Sequence, residues 1–82
     1  IGDAEAEVIE AQVMSTSPIA GTLIGNIDFP EGVIVGGILK NGDMVKPSSQ
    51  SKIEEGDIIA LFALSKDIPE VERLLQVTID YF

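Results

Sequence analysis

Apolar and polar positions alternate from Glu7 to Val13, with Ile9, Ala11 and Val13 on one side and Glu10 and Gln12 on the other. A spacing of two is that of a strand with one face covered and one wet. The period then changes. After Ser-Thr-Ser-Pro, residues Ile19, Leu23 and Ile24 fall on one helical face; Ser17 is placed as N-cap, Pro18 at the first helical position and Gly25-Asn26 as the stop. This predicts a short helix of about two turns. Phe-Pro-Glu-Gly makes a turn into Val33–Leu39, an uninterrupted apolar run that predicts a strand buried on both faces.

Gly36 and Gly37 lie inside that run, where glycine weakens a strand and marks a bulge or a close approach of two backbones. Asn41-Gly42 is a hairpin turn signal, since both central residues of a type I′ turn need positive φ. The predicted return strand is Met44 to Lys46, ended by Pro47. A polar loop, Pro-Ser-Ser-Gln-Ser, leads to the acidic turn Glu54-Glu55-Gly56-Asp57, in which Asp57 is placed to satisfy turn amides. Ile58–Leu64 reads as a second strand buried on both faces. Asp67, Pro69 and Glu70 spell a cap, a helix-starting proline and a capping-box partner, while Ile68, Val71, Leu74 and Leu75 recur at helical spacing. The last residues alternate Val77, Ile79 and Tyr81 against Gln76, Thr78 and Asp80, as an edge strand or docked tail would.

The fold class expected from this order is α+β, a small two-layer domain. It has a mixed or antiparallel sheet of about four to five strands and two short helices. Residues 5–75 form the domain and 76–82 a tail or edge strand. The chain opens on Ile-Gly-Asp without an initiator Met and reads as a piece of a longer protein.

Composition narrows the possible activities. Only 5% of the residues are aromatic while 45% are hydrophobic, so the core is Ile, Val, Leu and Ala, packed in close layers without a roomy cavity. Fourteen acids against five bases give a net charge of −9, which disfavours nucleic acid and anionic lipid as partners. Cysteine is absent, so disulfides and thiolate metal sites are excluded and a reducing cytoplasm is the expected location. No run is long enough to span a bilayer, and direct membrane insertion is not expected.

Histidine is also absent, which removes the commonest general base and the Ser-His pairing. Ser48, Ser49 and Ser51 lie near Lys46 and Lys52 as a Ser-Lys arrangement would, but a polar loop accounts for them fully. The chain is read as no enzyme. Glu54, Glu55 and Asp57 are candidate ligands for a hard divalent cation, although such a site needs about six converging oxygens and a solvated turn uses the same residues. Lys40, beside the hairpin turn and upstream of Glu-Gly-Asp and a strand, is placed like the modified lysine of lipoyl and biotinyl carrier domains. Those domains are all-β, and their lysine does not precede Asn-Gly.

The order of phrases has a further resemblance. A strand, Ser-Pro, "FPEGVIVGGILKNGDMVKP", "IEEGDIIALFA" and a closing "IPEVERLL" make the chain similar, from residue 7 to residue 75, to the TrkA-C domain. This is the C-terminal regulatory lobe of RCK-type proteins that gate potassium uptake systems and channels. The tail resembles the end of Trk-type potassium uptake proteins. The resemblance implies a non-catalytic lobe that forms a homodimer and passes ligand state to a membrane potassium transporter subunit, peripheral to the inner membrane. It implies that NAD or ATP binds only in a preceding glycine-rich lobe, with no cofactor here. Some relatives hold a cyclic dinucleotide between two such lobes; Lys40 stands where many have Arg, and so loses bidentate recognition of phosphate. Val35, Gly36, Gly37 and Ile38 are the expected dimer contacts, where two backbones approach closely.

Overall fold

The computed structural model describes residues 5–76, and the tail expected to form an edge strand lies outside them except for Gln76. Its central strand is the second apolar run. This strand, β6 (Ile58–Leu64), is flanked on one side by β1 (Ala6–Gln12) and on the other by β3 (Val33–Lys40), with β4 (Asp43–Val45) beyond β3. All three pairings are antiparallel, which settles the choice between a mixed and an antiparallel sheet. A second ribbon pairs β2 (Thr22–Leu23) with β5 (Lys52–Ile53). The polar loop that precedes β5 had given no sign of it.

One helix closes the domain. In α1 (Ile68–Leu75), the four residues at helical spacing, Ile68, Val71, Leu74 and Leu75, are buried as the pattern predicts. Gln76 adopts the left-handed conformation at its C-cap. The capping box does not form. Asp67 makes no side-chain cap bond, and Glu70 turns along the helix to accept hydrogen bonds from Arg73 Nε at 2.8 Å and from the other arm of its guanidinium. Asp67 instead lies against Gly32, where even a methyl group would collide with its carboxylate.

The helix expected near Ile19 is absent. Residues 17–22 form successive turns in which Ala20 N–H donates to Ser17 O and Thr22 N–H to Ile19 O; Gly21 then takes a φ of +85°, which ends any helical path. A single short segment cannot repay helix nucleation alone. Its amides do better elsewhere: Gly21, Ile24 and Gly25 donate to the carbonyls of Ile53, Ser51 and Ser49 at 2.7–2.9 Å. Only a one-turn 3₁₀ segment, Ile24–Asn26, remains.

Ser17 keeps half of its expected role. Its hydroxyl accepts from Ile19 N–H at 3.3 Å, as an N-cap would, and also donates to the carbonyl of Leu74 at 2.7 Å. That second bond joins the turn to the last turn of α1, where carbonyls have no helical partner.

The two apolar runs are buried on one face only. In β6, Ile59, Leu61 and Ala63 enter the core while Phe62 stays half exposed; in β3, Ile34 is exposed. A continuous apolar run says that neither face is polar. It does not say that the chain has enough material for two covering layers, and here α1 and the 13–29 segment cover one face. In β3 the inward side switches at a bulge: Val35 pairs with Leu61 and Gly37 with Ala60, leaving Gly36 as the extra residue. Ile38, not Gly37, is then the next core side chain.

Ser17→Ala is expected to lower stability by about 1–3 kcal/mol, because the Leu74 carbonyl loses its buried donor. Urea unfolding followed by circular dichroism reads this, and an unchanged midpoint would remove the hydroxyl from the account of the fold.

Candidate functional site

The bulge at Gly36 also brings Lys40 to the core side of β3. Asn41 and Gly42, with φ of +50° and +87°, form the predicted hairpin turn, so Lys40 is the last strand residue before the tip and pairs with Asp43. From there its ammonium reaches the acidic turn, 2.5 Å from Asp57 Oδ2 and 3.3 Å from Glu54 Oε1. The same Asp57 oxygen accepts Glu54 N–H at 2.9 Å, which closes the turn as its sequence predicts. The turn is tied to the end of β1 by Val13 N–H to Asp57 O and Gly56 N–H to Val13 O, both 2.8 Å.

Glu54 and Asp57 therefore converge on a lysine. Glu55 is exposed, and no hydrogen bond or ion pair joins it to that pair in the described network. Among the described residues no group of three or more acids is arranged to hold a metal ion. The hydrogen bond to Asp57 raises the Lys40 pKa above its ordinary value; partial burial opposes this, and the Glu54 hydrogen bond and the charges of both acids add to it. An ammonium held charged and ion-paired in this way is not a free acceptor for a lipoyl or biotinyl group. The carrier reading has no support here. Ser48 and Ser51 close their own loop: Ser51 Oγ accepts Ser48 N–H at 3.0 Å, Ser48 Oγ accepts Gln50 N–H at 3.3 Å, and the two hydroxyls lie 3.4 Å apart.

The larger feature is the uncovered side of the sheet. Val8, Ile34, Met44 and Phe62 are 71%, 64%, 70% and 51% exposed, far above what large apolar side chains need. Register places them in rows. Val8, Phe62 and Ile34 lie side by side across β1, β6 and β3; Gln12, Ile58, Leu39 and Met44 form a second row of large residues. Between the two runs a row of Glu10, Ala60 and Gly37, and there the surface sinks into a shallow hollow of about 50 Å³.

The expected dimer residues divide across this geometry. Ile38 is buried in the core and Val35 packs against it. Gly36 and Gly37 are on the open side as floor: a Cβ on Gly36 would lie 2.8 Å from the Phe62 ring and one on Gly37 2.9 Å from Met44 Sδ. Within this chain the space over the two glycines is taken by the side chains of Phe62 and Met44. Of Val8, Ile34, Met44 and Phe62, only Val8 carries a sequence signal for the open side, through the alternation in β1 that turns it away from Ile9.

A second concavity, about 340 Å³ and wide open, lies between the 24–29 segment and Pro47–Ser49, over Val33 and Val35. Its walls are apolar, with Ser48 and Ser49 on the rim.

The family model of the TrkA-C domain matches residues 8–76. A Trk system potassium uptake protein TrkA of Azorhizobium caulinodans is 36% identical over 80 residues, which take in 98% of this chain and 18% of that protein. The TrkA of Haemophilus influenzae is 39% identical over 77 residues, 92% of this chain and 17% of the relative. A solved structure described as an RCK domain with cda superposes with a TM-score of 0.72, covering 83% of this chain and 96% of that one at 18% identity, which shows a shared fold. This chain spans less than a fifth of those two curated relatives.

Removing the Lys40 charge strands the carboxylate of Asp57, which is only 10% exposed. Lys40→Met is expected to cost about 1–3 kcal/mol at neutral pH. Because folding raises the lysine pKa, its contribution is full below the unfolded value of ~10.4 and fades as pH rises through the folded value. The difference in urea midpoint between the two proteins should therefore shrink as the pH is raised above about 10.4; a gap that stays constant would refute the assignment.

Proposed function

The chain belongs to the TrkA-C domain family, and from that premise we propose that it is the regulatory and pairing lobe of a Trk-type potassium uptake protein. Its work is conformational and no bond is made or broken in it. Nucleotide, NAD or ATP, binds in the preceding part of the parent protein, and paired lobes pass that ligand state to a membrane potassium transporter subunit from the cytoplasmic side. Among the described residues no helix is long and apolar enough to cross a membrane, which supports attachment through a partner.

The uncovered apolar sheet face carries this reading. A chain with a net charge of −9 keeps one sheet face with Glu10 as its only ionisable side chain among the three rows, at the edge strand β1. Such a face excludes charged partners and calls for another apolar surface. A second copy fits its shape: two rows of large residues flank a row that is small at Ala60 and Gly37 and carries Glu10 only at the β1 edge, so under two-fold symmetry a ridge of each copy lies in the trough of the other. The area sets the strength. Strands about 4.8 Å apart and about 23 Å long give a face of at most about 450 Å², and a pair buries surface at the low end for specific interfaces. Pairing is thus weak and reversible, in the range where ligand binding elsewhere in the parent protein shifts it.

Sedimentation velocity of the 82-residue chain is expected to show a concentration-dependent dimer. Phe62→Glu should weaken it at least about tenfold with the fold kept, since the ring packs on Gly36 within the sheet and is not part of the core. In cells, the parent protein carrying this change should lose ligand control of potassium uptake while still binding nucleotide. A strict monomer at high concentration, or normal control with Phe62→Glu, would sink the proposal.

A further inference from the structure

With no cysteine in the chain, Met14 and Met44 carry its only sulfur atoms. They occupy different surroundings. Met14 lies in the turn after β1, where its carbonyl accepts Ser17 N–H at 3.0 Å, and is 46% exposed. Met44 is 70% exposed and stands on the open sheet face, its sulfur directly over Gly37 at the edge of the hollow lined by Glu10, Leu39, Ile58 and Ala60.

We propose that Met44 is an oxidation site whose sulfoxide opens the pair, an inference that rests on the pairing described above. The reaction needs a two-electron oxidant of the peroxide class. The thioether sulfur attacks one peroxide oxygen; the S–O bond forms, the O–O bond breaks, sulfur loses two electrons, and the second peroxide oxygen leaves with both protons as water. A thiol-dependent methionine sulfoxide reductase reverses it, the oxygen leaving as water while two thiols become a disulfide.

The surroundings decide what this does. The sulfoxide oxygen is a strong acceptor that water satisfies while the face is open. On pairing it would enter a hollow whose other side chains are apolar except for Glu10, itself an acceptor when ionised, so no side-chain donor in the hollow replaces the lost water. Two-fold symmetry places two such oxygens in one interface. Gly37 sharpens the effect, because the sulfur rests on backbone with no side chain to shield it. Exposure also favours Met44 over Met14 as the faster target.

The test uses the 82-residue chain with its M14L and M44L variants. Each is treated briefly with hydrogen peroxide, mapped by peptide mass, and followed by sedimentation velocity and circular dichroism before oxidation, after it, and after sulfoxide reductases. The expected result is faster oxygen uptake at Met44 than at Met14. Pairing should weaken at least about tenfold in wild type and M14L, with the secondary structure kept, M44L unaffected and the reductases restoring the pair. A pair that survives complete Met44 oxidation overturns the switch and leaves the pairing reading standing. An effect that persists in M44L, or unfolding on oxidation, overturns it as well. An unoxidised chain that never pairs refutes the pairing reading, and the switch falls with it.

Discussion

One extra residue in β3 decides the direction of every side chain after it. Because Gly36 is bulged out between Val35 and Gly37, the strand presents Val33, Val35 and Ile38 to the core and Ile34 and Leu39 to the other side. An unbroken strand would have kept odd positions inward throughout and turned Lys40 away from the core side. With the bulge, Lys40 reaches Asp57 and Glu54, so the hairpin is tied to the acidic turn and the turn in its own backbone bonds to β1. The same shift puts Leu39 opposite Met44 on the open face, where together they form the far wall of the trough. Core, ion pair and candidate pairing surface all follow from that position.

The second constraint is material. The small ribbon of β2 and β5, the 13–29 segment and α1 give one covering layer, and the sheet has two apolar faces. Two consequences compete: an exposed apolar face risks association with anything apolar, yet this one is small, rimmed by Glu10 and carried on a strongly acidic body. In the proposed pairing, charge would keep the encounter selective while area would keep it weak. The proposed pairing benefits from both, since a large and wholly apolar interface would stay closed.

The parts of the fold that were legible in the sequence are those in which a local signal and the tertiary structure agree. Asn41-Gly42 specifies its turn through backbone angles alone, Ile58–Leu64 its strand through length and composition, and Ile68–Leu75 its helix through spacing. The segment from Ser17 to Asn26 shows the opposite case: its helical spacing is real, but Ser49, Ser51 and Ile53 offer carbonyls to its amides, and non-local pairing prevails over a short helix's weak preference. The outer face was hidden for a related reason. Apolar runs state which residues avoid water, whereas the number of layers available to cover them is a property of the whole chain. Lys40 and Asp57 each stand at a recognisable turn, but nothing in a separation of seventeen residues signals contact until the bulge fixes which way Lys40 points.

The stacking of the Phe62 ring on Gly36 makes these two positions depend on each other. A side chain can enter at 36 only if the one at 62 gives way, because an added Cβ would meet the ring at 2.8 Å. The bulge itself does not demand glycine at 36, whose φ is not positive; the aromatic neighbour does. Related chains that carry a larger residue at the bulge should therefore carry a smaller or differently directed one across from it, and substitution at either position alone should be rarer than substitution at both.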